Sequence, residues 1–156
     1  MKLTRTIEVL DYDPRWLQLF VNEKAVLQQV LGENALSIEH IGSTSVEGLA
    51  AKPVIDILIE VDLLEHVDSR NAAMEDKDYK VKGENGIAGR RYFQKGGNQR
   101  SHQVHIFKAG DPHLHRHLAF RDFLRAHPHI ANEYAFIKKQ AVAMCNNDMS
   151  TYMAWK

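Results

Sequence analysis

The sequence predicts an α/β (α+β) fold, a mixed sheet flanked by helices with a helical C-terminal part, and three observations carry that reading. The run VIDILIEV at 54–61, broken only by Asp56 and Glu60, has the length and apolarity of a strand buried on both faces. Apolar residues recur at helical spacing after Asp13-Pro14 and again after Asp111-Pro112. Between those segments, short β-prone runs are separated by glycines.

Each element follows in order. Asp13 is a candidate N-cap with Pro14 at the first helical position. Trp16, Leu19, Phe20, Val26, Leu27, Val30 and Leu31 mark the apolar stripe of a helix that stops at Gly32. ALSIEHI at 35–41 reads as a short strand, and GSTSVEGLAAKP after it as a loop. The strand at 54–61 precedes a helix over 63–76. Tyr79–Lys82, Gly89–Gln94 and Gln103–Lys108 read as strands divided by glycine turns. One helix runs from Asp111-Pro112 to about Ala126, another from Pro128 to about Cys145, and STYMAWK opens a last one.

The 156 residues are expected to make one domain spanning 1–156. Lysine plus arginine match aspartate plus glutamate at 20 each, so there is no strong nucleic-acid signal, though a local basic patch stays open. The single cysteine, Cys145, excludes an internal disulfide and suits a reducing compartment. Residues 1–20 have no apolar stretch of the signal-peptide kind, and no run reaches 18 apolar residues. The expectation is a cytoplasmic protein without membrane spans; the sequence leaves the oligomeric state open.

The chemistry concentrates in HIGSTSV at 40–46 and KPVID at 52–56. A strand, a Gly-Ser turn and, about a dozen residues on, an acid on a second strand is the order of parts in a nucleotidyltransferase site. Gly42 lets backbone approach a triphosphate, and Ser43 and Thr44 add hydroxyls to the N–H donors there. Asp56 would hold a magnesium ion bridging the phosphates, which takes only one or two carboxylates besides phosphate oxygens. A tight turn and a hydrogen-bonded strand aspartate is the plainer alternative.

The string HIGSTSVEGLAAKPVIDILIEV resembles the signature of the GrpB family, and YDPRW, SHQVHIF and HLAFRDFLRAHP extend the resemblance over most of the chain. It implies a nucleotidyltransferase-like fold, similar domains of which occur fused to dephospho-CoA kinases. It supplies no substrate, and fold likeness alone does not establish an activity. Active nucleotidyltransferases carry two acids one residue apart on this strand and a third on a neighbour. Here Leu58 stands two after Asp56, and Glu60 lies roughly 13 Å along the strand, too far to share a metal.

His105, in QVHIF, stands at a place comparable to the third acid, with His102 at the strand's entrance. A neutral imidazole can ligate a metal or move a proton. Asp56 and His105 are thus the candidate catalytic residues and metal ligands, for one Mg²⁺ at most. His40 and His102 are further candidates. Lys52, Arg91 and Arg100 are the candidate phosphate partners beside Gly42, Ser43 and Thr44, with Arg90 assigned to solvent because strand alternation turns only one of Arg90 and Arg91 to the site. His113 and His117, four apart on the next helix, are read as an exposed face, and Phe120, Phe123 and Leu124 as helix packing. Two functions stay open: metal-dependent transfer of a nucleoside monophosphate to an unknown acceptor, or a nucleotide- or phosphoester-binding module that has lost the chemistry. The partner is a nucleoside triphosphate or related phosphoester in either case.

Overall fold

The computed structural model describes residues 9–144, so the expected final helix and Cys145 lie outside the described residues. The first helix, α1 (Arg15–Leu31), begins where the Asp13 carboxylate accepts from the Arg15 N–H at 2.9 Å. It ends at Gly32, whose N–H returns to Gln28 O at φ +60°. Its buried stripe is Trp16, Phe20, Glu23, Leu27 and Leu31. Leu19 is exposed, and a carboxylate occupies the middle of the stripe instead.

Strand β1 (Ala35–Ile41) follows, then the loop, then β2 (Ile55–Val61). Reciprocal 2.9 Å bonds between Leu10 and Ala51 tie that loop to the segment before α1. The single helix expected over 63–76 is two, α2 (Leu64–Asp68) and α3 (Asn71–Asp76). Ser69 explains the break: its hydroxyl donates back to His66 O at 2.7 Å, a local bond that competes with helix continuation. Strands β3 (Lys80–Val81), β4 (Arg90–Lys95) and β5 (His102–Lys108) come next. Helix α4 (Pro112–Ala126) is capped by Asp111, which accepts from the His113 N–H at 2.9 Å, and α5 (Pro128–Met144) packs back on it.

Among the described residues the strands form one five-stranded sheet in the order β1-β2-β5-β4-β3. Only β2 and β5 run parallel, so the sheet is mixed. Ile55, Ile57, Ile59 and Val61 face α1 with Val104, Ile106 and Phe93. Leu58, Ile41 and Phe107 face α4 through Leu114. Strand β2 is therefore covered on both sides, as its near-continuous apolarity requires, and Asp56 is only partly buried at its entrance.

Candidate functional site

Strand β1 ends opposite Asp56, with Ile41 paired to it, and the chain turns at once through Gly42 at φ +74°. A Cβ on Gly42 would stand 2.7 Å from Asp56 Oδ2. Glycine is required here by the aspartate as well as by the left-handed backbone, which ties the two halves of the motif together physically. A tight turn over Ser43–Ser45 follows, held by Ser45 N–H and Oγ on Gly42 O and by Val46 N–H on Ser43 O. The N–H groups of Ser43 and Thr44 open this turn and have no acceptor within it. Ser43, Lys52, Asp56, Gln103 and Lys138 line a cleft of about 40 Å³ there.

The parallel pairing of β5 with β2 sets Gln103 beside Asp56 and His105 beside Leu58, on the same face as the carboxylate. His105 Nε2 lies 3.3 Å from Asp56 Oδ1. The Gln103 amide satisfies its neighbours with its nitrogen toward Asp56 Oδ1 at 2.8 Å and its oxygen toward Arg100 Nη1 at 3.2 Å. Arg90 Nη1 stands 3.5 Å from His105 Nδ1. A guanidinium can only donate, so Nδ1 accepts and Nε2 carries the proton that points at Asp56. Both ring nitrogens of His105 are thereby committed. The Tyr92 ring packs 5.3 Å from His105 and beneath the Arg90 guanidinium. Burial raises the Tyr92 phenol above its ordinary pKa.

Several expected residues stand elsewhere. Thr44 is buried; its hydroxyl donates to Val54 O at 3.1 Å and meets His40 Nε2 at 2.9 Å, so it is an internal link and its N–H alone remains for a ligand. His40 stacks on Phe20 at 4.8 Å, on the α1 side of the sheet. Burial first, and then the Arg125 charge, push His40 down to about 4. His102 is also on the α1 side, where its Nδ1 meets Ser101 Oγ at 2.9 Å. Arg91 is ion-paired to Asp68 at 2.6 Å, away from Asp56, while Arg90 is buried on the Asp56 face with its Nε and Nη2 on the Glu84 and Asn85 carbonyls. Alternation holds as expected, but with the opposite arginine inward.

Helix α4 is the larger surprise. His113, His117, Arg121 and Arg125, each four residues on, present one face to the site's supports. The His113 ring stacks on Phe107 at 4.9 Å and His117 lies 5.8 Å from His105, so this is no exposed histidine face. Burial, then His105 and His113, lower the His117 pKa. Arg121 donates to Glu39 and to His40 O, and Arg125 donates twice to Ser45 O, at 3.0 and 2.9 Å. Phe120 and Phe123, by contrast, are about half exposed, Phe120 meeting the Tyr134 ring at 6.0 Å and Phe123 stacking on His127 at 4.2 Å, while Leu124 is buried. The four-residue spacing was legible; its direction was not.

A metal finds a thin donor set. Among the described residues Asp56 is the only carboxylate lining the cleft, and no group of three histidine, cysteine or acidic side chains is spaced to hold an ion. Oδ1 already accepts from Gln103 and His105. The side chains do not fit a two-metal centre, which needs carboxylates shared between ions.

Comparison with known proteins places the whole chain, not the site, among its relatives. The family described as GrpB protein matches residues 6–156. The chain is 50% identical to "UPF0157 protein YqkA" of Bacillus subtilis over 97% of its own length but only 44% of that protein's. It is 30% identical to "Glutamate-rich protein GrpB" of Alkalihalophilus pseudofirmus, covering 92% of this chain and 86% of that one. A protein named dephospho-CoA kinase from Mycobacterium leprae is 29% identical over 90% of this chain and 41% of its own length. The crystal structure of a conserved protein GrpB from Enterococcus faecalis superposes with a TM-score of 0.91 at 44% identity, covering 94% and 89% of the two chains. No helix among the described residues is long and apolar enough to cross a membrane.

Proposed function

This chain belongs to the GrpB family, and from that premise we propose that it is a phosphoester-binding module on a nucleotidyltransferase-like scaffold, recognising the phosphates of a nucleotide without two-metal chemistry. The observation that carries the reading is the charge balance at Asp56. One carboxylate faces a cleft bordered by Lys52, Lys138 and, through Gln103, Arg100. The place where a second metal-binding acid would project is Leu58, buried against Ile41, Phe107 and Leu114. A phosphoryl group in the cleft would accept from the Ser43 and Thr44 N–H groups and the Ser43 hydroxyl, with the lysines and Arg100 offsetting its charge. Asp56 then orients Gln103 and His105, and through Gln103 it holds Arg100. The similar segment in the protein named dephospho-CoA kinase supports a phosphorylated ligand.

A second reading, nucleotidyl transfer to an unknown acceptor with one Mg²⁺ on Asp56, is favoured by the 26% of the Asp56 side chain that stays exposed. Titration of ATP, ADP and pyrophosphate by calorimetry, in EDTA and then in Mg²⁺, separates the two. A metal-free module binds in EDTA, loses about tenfold in affinity in Lys52→Met, and keeps or gains affinity in Asp56→Asn, which removes a repulsive charge. Binding that needs Mg²⁺ and vanishes in Asp56→Asn would establish the transferase-like site instead. Absence of binding under either condition defeats both.

A further inference from the structure

We propose that the cavity lined by His40, Thr44, Ser45 and Arg125, beside the turn that follows Gly42, is a second small-molecule site that takes an amino or hydroxy acid. The cavity measures about 350 Å³, at the lower end of the range usual for ligand pockets. Its floor is polar and built, because His40 and Thr44 are both almost fully buried.

The hydrogen-bond pattern of that floor dictates what can sit on it. Thr44 has one hydroxyl proton, and it goes to Val54 O. The contact between Thr44 Oγ1 and His40 Nε2 must then be a bond donated by the ring. His40 is therefore the Nε2–H tautomer, and its Nδ1 presents a lone pair. Among the described residues Nδ1 has no hydrogen-bond partner, yet it is not a sealed, unsatisfied atom. It opens on the cavity that His40 lines. The low proton affinity of this ring keeps Nδ1 an acceptor at neutral pH.

An occupant is thus asked for an O–H or N–H donor at the floor. At the rim, Arg125 spends Nε and Nη2 on Ser45 O and keeps Nη1, a donor suited to a carboxylate. Glu47, also at the rim, suits an ammonium, and Leu17 and Tyr12 supply an apolar wall. A donor and an acid on one small carbon frame describe an amino or hydroxy acid. Ser45 and Thr44 belong to the same turn as Ser43, so an occupant would bear on the backbone that also borders the Asp56 cleft.

The test titrates the full chain with the common free amino acids and lactate. Acetate, which has no donor at neutral pH, and ethylamine, which has no acid, are the controls. At least one amino or hydroxy acid is expected to bind tenfold or more tightly than either control, and to shift the His40 Nδ1 resonance in ¹⁵N spectra. Arg125→Gln should weaken that binding about tenfold. Leu17→Trp, at an exposed rim position, should abolish it by filling the space while pyrophosphate binding at the Asp56 cleft stays as in the parent. A His40 Nδ1 found protonated in the free protein, no probe exceeding the controls, or binding indifferent to both substitutions overturns the proposal. Pyrophosphate measured in the same samples shows separately whether the phosphate reading fails.

Discussion

The two faces of the sheet each carry a polar cluster, and they differ in how the charge is closed. On the α1 face, Glu23 accepts from Tyr79 Oη at 2.5 Å and from Lys95 Nζ at 2.7 Å, with the Lys95 ammonium 4.9 Å from the Tyr79 ring centre. Burial alone would raise the Glu23 carboxyl, but the Lys95 and Tyr79 bonds outweigh it and hold the pKa below the ordinary value. Anion and cation are matched inside an apolar layer, and the cluster joins α1 to β4. On the α4 face, one partly exposed aspartate is surrounded by His105, Arg90 and the residues of an open cleft. A matched, closed cluster stabilises the fold, whereas a partly exposed carboxylate at a cleft is placed where something arriving from solution can meet it.

The largest expected effect tests the closed cluster. Glu23→Ala leaves the Lys95 ammonium without its anion and the Tyr79 hydroxyl without its acceptor, which should cost about 2–3 kcal/mol. Urea denaturation reads it, and pyrophosphate affinity should not change. Loss of affinity with stability intact would mean that the two faces are not independent. The wild-type contribution should also fade in acid: a depressed carboxylate stabilises above its unfolded pKa, ordinarily 4.5, and the gain is lost as pH falls through the folded value.

His40 adds a second pH dependence over a different window. Unfolded, it takes a proton near 6.5; folded, only near 4. Between those values the unfolded chain binds the extra proton, so stability should drop as pH falls from 6.5 toward 4. About 2 kcal/mol is expected, discounted from the full shift because the ring borders a cavity. His40→Gln retains an N–H for Thr44 and should flatten the stability profile in that range; an unchanged slope would assign the loss to other groups.

A smaller effect separates the neighbouring arginines. Arg90→Ala frees the Glu84 and Asn85 carbonyls and removes the donor on His105 Nδ1, for an expected loss of about 1–2 kcal/mol by thermal denaturation. Its effect on pyrophosphate affinity should be the greater of the two. Arg91→Ala breaks a pair with Asp68, whose side chain is 46% exposed, and a bond to the Arg90 carbonyl, and should change stability by no more than about 1 kcal/mol and binding not at all. Reversal of the pair would return the site to the arginine expected from the sequence.

Much of this molecule follows from local rules that need no neighbours. Strand β1, the buried strand β2, the caps at Asp13 and Asp111, the stop at Gly32 and the proximity of Gly42 to Asp56 all rest on periodicity, backbone conformation or short chain reach. Such signals act within a few residues, so the sequence displays them. Tertiary structure decided which parity of each strand meets which layer. The register of β4 on β5 puts Arg90 opposite Phe107 and Arg91 opposite Ile106, and that choice sends Arg90 toward α4 and Arg91 toward Asp68. Likewise, Glu23 sits in the apolar stripe of α1 because Lys95 and Tyr79 come from strands and loops more than fifty residues away to meet it. The α4 histidines turn inward because Phe107 and His105 offer them rings. A charge in a stripe or a histidine at four-residue spacing gives no sign of its distant partner, since the energy that settles its direction comes from contacts that exist only once the sheet is assembled.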